Sequence, residues 1–267
     1  MNFKYTHAIV SRIPKSICSI GQPQIDIYRA KKEFEQYVKL LRKIGLDVIE
    51  LAAEETLPYS AFTGDIGIGV NGMAFLYNSK ISQAKEKQNI KNIISKELNM
   101  EVYEILDEDA FIDANDVLFT GREFFIGITA NTNEKGAKIF ANTFPDYSCS
   151  LINFKEKNSN ICLKYYVNCL INEDILIYIN IKGNSILKQM EMKASYKYKI
   201  LILPLDLINC LYINGSFMCS NDKEEDLKLI EEKLGFKQDL VDLTELSKLH
   251  GNLSRLVLLI GKQKIVK

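Results

Sequence analysis

The 267-residue chain has no tryptophan, only five prolines and only two histidines, His7 and His250. A protein zinc site needs several His, Cys or carboxylate ligands converging at short, regular spacing. Neither histidine has such neighbours in sequence, so no metal is expected, and no cofactor either. The sequence also lacks any Pro-, Gly- or Ser-rich linker, which leaves a single domain over residues 1–267 as the expected organisation. Cysteine is present but not dense: Cys18, Cys149, Cys162, Cys169, Cys210 and Cys219 are scattered without any Cys-x-x-Cys pair. That pattern excludes a disulfide framework and fits reduced thiols in the cytoplasm.

Net charge is absent as well. Thirty-four basic residues balance thirty-four acidic ones, so no overall field draws the chain to a phosphate backbone or an anionic lipid surface. Nucleic acid and membrane are therefore not expected partners, and the sequence specifies no protein partner; a small ligand fits better. The longest apolar run, Leu253 to Ile260, is too short to span a bilayer and is interrupted by Arg255. Residues Met1 to His7 contain no apolar signal-peptide core. The sequons Asn214-Gly215-Ser216 and Asn252-Leu253-Ser254 read as chance matches.

Periodicity is what the chain does have. Ile27, Ala30, Phe34, Tyr37, Leu41 and Ile44 step by three or four along one helical face, with Asp26 as N-cap and Gly45 closing the C-terminus. Strands are predicted on either side, at Ala8 to Val10 and Asp47 to Leu51. Paired strands then recur at Ile66 to Val70 with Ala74 to Tyr77, Val117 to Thr120 with Phe124 to Thr129, and Leu163 to Leu170 with Ile175 to Ile179. Single strands follow at Val102 to Leu106, Cys149 to Phe154 and Ile200 to Leu203. A last unit is read as Leu211 to Ile213, Ser216 to Cys219, a helix from Glu224 to Leu234, and Leu256 to Ile260. A Lys-rich helix between Lys80 and Lys96 turns Ile90, Ile93, Ile94 and Leu98 inward. Units of roughly fifty residues, each with two or three strands and one helix, make this a mixed α/β chain built from repeats.

Several motifs have a structural and a chemical reading. Gly67-Ile68-Gly69-Val70-Asn71-Gly72 has the spacing of a dinucleotide fingerprint, but that site needs a helix after the glycines. Here Asn71-Gly72 lies between two strand patterns and reads as a type I′ hairpin turn. Cys162 and Cys169, seven apart on one predicted strand, fall on opposite faces and read as structural thiols. Asp113 and Asp116 bracket Ala114-Asn115 ahead of an apolar strand. They read either as an Asx turn capping that strand or as carboxylates projected into a pocket.

The block Asp113-Ala114-Asn115-Asp116-Val117-Leu118-Phe119-Thr120-Gly121-Arg122-Glu123-Phe124-Phe125-Ile126-Gly127 resembles the active-site strand of the dimethylarginine dimethylaminohydrolases. Further likeness runs through Thr6-His7-Ala8-Ile9-Val10, Leu57-Pro58, Phe62 to Asp65, Thr132-Asn133 to Phe144, Asn209-Cys210 with Tyr212 and Asn214, and Gly251 to Leu259. The resemblance implies a five-bladed α/β propeller, or pentein, of ββαβ units with pseudo-fivefold symmetry. It also implies the family chemistry on linear amidines. A cysteine thiolate attacks a methylated guanidinium carbon, methylamine or dimethylamine leaves, and water releases citrulline, with a histidine as acid and base and carboxylates holding the cation.

The same resemblance implies that key positions have changed. Arg255 stands where the family has its nucleophilic cysteine, and Cys162, before the Leu163-Lys164 pair, stands where it has histidine. Asp113 is a retained carboxylate and Asp65 another, while Gly64 replaces a glutamate, Asn78 and Asn131 replace substrate-binding arginines, and Tyr59 replaces an aspartate. The expected outcome is a pseudoenzyme with a pocket for a small amidine or, given Arg255, an anion. The alternative is an active amidine hydrolase with a relocated thiol at Cys162. On this alignment, restoring activity calls for Arg255→Cys, Cys162→His, Gly64→Glu, Asn78→Arg and Asn131→Arg together.

Overall fold

The computed structural model describes residues 3–19, 24–78, 84–154, 162–173, 175–178, 180–203, 209–220, 224–235, 238–249 and 251–262. His250 and the ends of the predicted segments at Lys80 and Ile179 lie outside them. Contacts gather into two compact units, one of Phe3 and residues 65–208, the other of residues 4–64 with 209–263.

The unit of residues 65–208 repeats one motif three times. A hairpin is followed by a helix and then by a third strand parallel to the second. The first repeat is β3 (Gly67–Val70), β4 (Met73–Leu76), α2 (Ala84–Asn92) and β5 (Glu101–Glu104). The second is β6 (Val117–Phe119), β7 (Glu123–Ile128), α3 (Glu134–Thr143) and β8 (Ser148–Asn153). The third is β9 (Val167–Leu170), β10 (Ile175–Tyr178), α4 (Asn180–Lys193) and β11 (Lys199–Ile202).

The other unit holds two more copies. β12 (Leu211–Ile213) and β13 (Ser216–Cys219) form the hairpin, the helix Glu224–Leu234 follows, and β14 (Gln238–Leu240) lies parallel to β13. The fifth copy is divided along the chain. Its first strand is β15 (Leu258–Ile260), antiparallel to β1 (His7–Ser11), after which α1 (Ile27–Lys43) leads to β2 (Asp47–Leu51), parallel to β1. This corrects the sequence reading of the last unit: Leu258–Ile260 pairs with His7–Ile9, and the third strand beside Phe217–Cys219 is Gln238–Leu240.

Local chemistry accounts for the elements. Asp26 caps α1 by accepting the N–H groups of Tyr28 and Arg29 at 2.9 and 3.2 Å. Arg42 and Lys43 lie in its last turn, where cations oppose the helix dipole, and Gly45 follows at φ +89°. Asn71 and Gly72 have φ of 55° and 79°, as do Asn214 and Gly215 at 51° and 98°. Two consecutive left-handed residues make type I′ turns between β3 and β4 and between β12 and β13, and the dinucleotide reading of Gly67 to Gly72 fails because β4 follows. The predicted strand at Leu163 begins instead as a 3₁₀ turn, Leu163–Tyr165, and becomes extended only at Val167. The Lys-rich helix buries Ile90, Ile94 and Leu98 as expected, while Ile93 opens a π-helical turn, Ile93–Glu97.

Phe140 on α3 anchors an aromatic core, meeting Phe75 and Phe124 edge-on at 5.0 Å each and stacking on Tyr77 at 6.3 Å. Its ring is fully buried. Phe140→Ala is therefore expected to lower stability by about 3–5 kcal/mol, through lost transfer energy and a residual cavity. Tyr28, exposed at 81%, should change stability by no more than about 0.5 kcal/mol when truncated to alanine. Urea denaturation of both variants tests the contrast.

Candidate functional site

The turn Asp113 to Asp116 precedes β6 and forms the capping turn expected of it. Asp113 accepts the Asn115 N–H at 2.8 Å and the Asn115 side-chain amide at 3.0 Å, which is the Asx cap anticipated from sequence. Its own N–H is held by Thr132 Oγ1 at 3.0 Å, and its side chain stays partly exposed. Asp116, by contrast, is completely buried. Its Oδ2 accepts the hydroxyls of Thr129 and Thr132, each at 2.7 Å, and its Oδ1 accepts the Leu163 N–H at 3.0 Å. Burial pushes its carboxyl up to about 6, with the Asp113 charge acting in the same direction and the three donors pulling it back.

Leu163 lies between two sequence-identified positions. Cys162 precedes the 3₁₀ turn without a side-chain capping bond. Its thiol is pushed up to about 12, first by burial and then by Asp116, with the Tyr165 N–H pulling it back, Asp113 adding to the rise and Lys164 opposing it least. Lys164 is held below the usual lysine range by burial, opposed by Cys162, Cys169, Asp65 and Asp113. Cys169 donates from Sγ to the Phe119 carbonyl at 3.0 Å and is likewise pushed up to about 12. The 3₁₀ turn breaks the strand alternation that would place Cys162 and Cys169 on opposite faces, and Lys164 feels both. Asp65, Asp113 and Cys162 are thus brought together around Lys164, a residue the sequence signalled only through the Leu163-Lys164 pair. Asn78 donates through Nδ2 to the Ala110 carbonyl at 3.2 Å. Asn131 donates its N–H to Thr129 Oγ1 at 3.0 Å, on the loop that grips Asp116.

In the other unit the structure joins Gly64 to Arg255. The Gly64 N–H donates to the Arg255 carbonyl at 2.8 Å. A Cβ on Gly64 would stand 3.0 Å from that oxygen, 2.7 Å from the Val257 carbonyl and nearer still to the Ser254 carbonyl. All three obstacles are backbone. The expectation that Gly64→Glu belongs among the restoring substitutions is corrected here, since this backbone has no room for any side chain at 64. The Arg255 guanidinium lies over the Phe62 ring at 4.4 Å, a cation–π contact. The Arg255 backbone N–H donates to Asn252 Oδ1 at 3.0 Å. Tyr59, 38% exposed, has its ring 6.4 Å from that of Phe62. His7 meets Thr6 Oγ1 at 2.8 Å and is lowered by burial.

Comparison with known proteins fits this arrangement to a family. The family profile described as "N,N dimethylarginine dimethylhydrolase, eukaryotic" matches residues 15–244. The chain belongs to this family. A Homo sapiens protein named "Putative hydrolase DDAH2" is 36% identical over 155 residues, which cover 55% of this chain and 54% of that one. The chain spans about half the length of the curated dimethylargininase relatives it matches. Among solved structures, the Pseudomonas aeruginosa dimethylarginine dimethylaminohydrolase, in a variant complexed with citrulline, matches with a TM-score of 0.81 at 20% identity, covering 97% of this chain and 100% of that one. The N-terminal domain of ArgZ, a cyanobacterial arginine dihydrolase bound to product, matches with a TM-score of 0.80 at 18% identity, covering 98% and 100%. At these identities the likeness establishes the dimethylargininase fold, the five-bladed α/β propeller of ββαβ units expected from the resemblance. Among the described residues no helix is long and apolar enough to cross a membrane.

Two outcomes follow from this geometry. Gly64→Ala should destabilise the chain by more than about 1 kcal/mol, since backbone must move to admit a methyl group, and Gly64→Glu should do so more strongly; thermal unfolding measures both. Asp116 supplies a pH signature. Its folded carboxyl titrates near 6 and its unfolded one near 4, so between those values the native chain keeps a proton that the unfolded chain releases. Its contribution to stability is therefore most favourable below pH 4 and declines as pH rises through 6, by on the order of 2–3 kcal/mol. Denaturant titrations from pH 4 to 7 should show this downward component in the parent chain and its loss in Asp116→Asn.

Proposed function

We propose that this chain is a dimethylargininase-fold pseudoenzyme, a protein that retains a small-ligand pocket and does not turn over methylated arginine. The family reaction needs a thiolate, and the observation that carries the reading is the state of the Cys162 thiol. With its pKa pushed up to about 12, roughly one thiol in 100,000 is ionised at pH 7. Reactive cysteines sit instead in electropositive surroundings that stabilise the thiolate. Here two carboxylates bias Cys162 the other way, and Lys164, the positive group acting on it among the described residues, contributes least.

Arg255, aligned with the family nucleophile, has no thiol to offer and is engaged with Phe62. Loss of a nucleophile and its base together removes the catalytic unit, since the two act as one. Asn78 and Asn131 lack the charge that pairs with an amino-acid carboxylate, and Lys164 sets an ammonium among the carboxylates Asp65 and Asp113 that would meet a guanidinium. These features together weigh against the family substrate and for a different small amidine or an anion, bound without cofactor in a reduced cytoplasmic setting.

Purified protein is expected to release no citrulline from asymmetric dimethylarginine or monomethylarginine above the uncatalysed background. Sustained release abolished by Cys162→Ala would establish the alternative, an amidine hydrolase with a relocated thiol. Calorimetry with dimethylarginine should find affinity weaker than micromolar, because each missing charge-assisted contact removes about 1.5–3 kcal/mol.

A further inference from the structure

Asp116 belongs to none of the roles assigned above, yet it is the most deeply enclosed charge near the candidate site. Its carboxylate gathers donors from two separate segments, the Thr129 and Thr132 hydroxyls after β7 and the N–H of Leu163. Space for it is made by Gly127 on β7, where a Cβ would meet Asp116 Oδ1, Leu163 Cβ and Phe154 Cε2, each at 3.1 Å. Burying a carboxylate costs several kcal/mol unless hydrogen bonds offset it. A neutral polar side chain would tie the same segments with a smaller desolvation penalty, so the charge itself needs an account.

We infer that Asp116 is a positioning residue that fixes the Cys162-Leu163-Lys164 turn and, by its negative charge, holds the Cys162 sulfur as an unreactive thiol. Among the described residues, Asp113 on its own turn and Cys162 on the turn it holds act on it or are acted on by it, while Lys164 on that turn acts on Cys162 and Asp113. β7 and the following loop present Gly127, Thr129 and Thr132, none of them titratable. Asp65 and Cys169 act at one remove, through Lys164. Asp116 and Asp113 both disfavour the thiolate and Lys164 favours it, which gives the two sides of the site opposite effects on one atom. The inference rests on the reading of Cys162 as the inert thiol of a silent site, but its test uses no methylarginine, so either idea can fail without the other.

The test is alkylation of the folded full-length chain with iodoacetamide at pH 8, followed for each cysteine by peptide mass spectrometry. Asp116→Asn is expected to accelerate Cys162 modification about tenfold, the effect of one pK unit. Lys164→Met is expected to slow it, and the double variant to fall between. Cys219, only 1% exposed, reports unfolding and should stay unmodified. A merely structural role for Asp116 predicts that both single variants loosen the turn and speed modification, so acceleration by Lys164→Met overturns the inference, as does an unchanged rate in folded Asp116→Asn. If Asp116→Asn fails to fold, the parent chain decides with a faster thiol reagent, methyl methanethiosulfonate. As Asp116 ionises between pH 5 and 7, the Cys162 rate should rise by less than tenfold per pH unit, and a constant tenfold slope across that window overturns the proposal.

Discussion

A carboxylate taken out of water must find donors for its oxygens or surrender its charge, and the structure applies that constraint at the joints between its repeats. Asp116 binds the loop after β7 and the turn before β9 to the turn before β6. The positions of Asp113, Asn131, Cys162 and Lys164 all descend from those three bonds. Glu123, equally buried, accepts the Tyr198 hydroxyl at 2.8 Å and the Ser195 N–H at 3.0 Å, tying the second repeat to the third. In the other unit Glu33 on α1 accepts the N–H groups of Glu245 and Leu246 at 2.9 and 3.1 Å. An acid inside such a joint is directional where apolar packing is not, so it sets which segment meets which.

The residues around Lys164 set opposed charges about one thiol. Cys162 is neutral at physiological pH, with the carboxylates Asp116 and Asp113 disfavouring its thiolate. At Gly64 the constraint comes from the backbone. The Ser254 to Val257 segment approaches so closely that its carbonyls occupy the space of a side chain. Glycine at 64 is thus fixed by packing, and a larger residue there requires the backbone to move.

Much of the fold was legible because it rests on local rules. Asn71-Gly72 declares its turn since few other pairs tolerate two positive φ values, and Asp26 with Gly45 marks both ends of α1. The Asx cap at Asp113 was legible for the same reason. What escaped the sequence depends on distant partners. Nothing near Leu163 says that its N–H will find Asp116 rather than a neighbouring strand, so the 3₁₀ turn read as β. Leu258 to Ile260 is a good strand in isolation, and only its pairing with His7 to Ile9 shows that it does not finish the repeat before it. Gly64 read as a lost side chain because its steric neighbours are some 190 residues away. The clustering of Asp65, Asp113 and Cys162 on Lys164 was approached through family likeness, not through any spacing in the chain.

The pairing of β15 with β1 also bears on how the molecule is made. β1 leaves the ribosome long before the strand that covers its second edge, which lies at the far end of the described residues. Until then β1 has β2 on one side and a row of open hydrogen-bonding groups on the other, in a segment as apolar as Ala8-Ile9-Val10. Such an edge invites pairing with the wrong strand. Loop-closure entropy rises only slowly with chain length, so the late union is thermodynamically inexpensive, but it is slow because contacts this distant in sequence form late. The divided fifth copy therefore stays an unfinished sheet until β15 emerges and seals it.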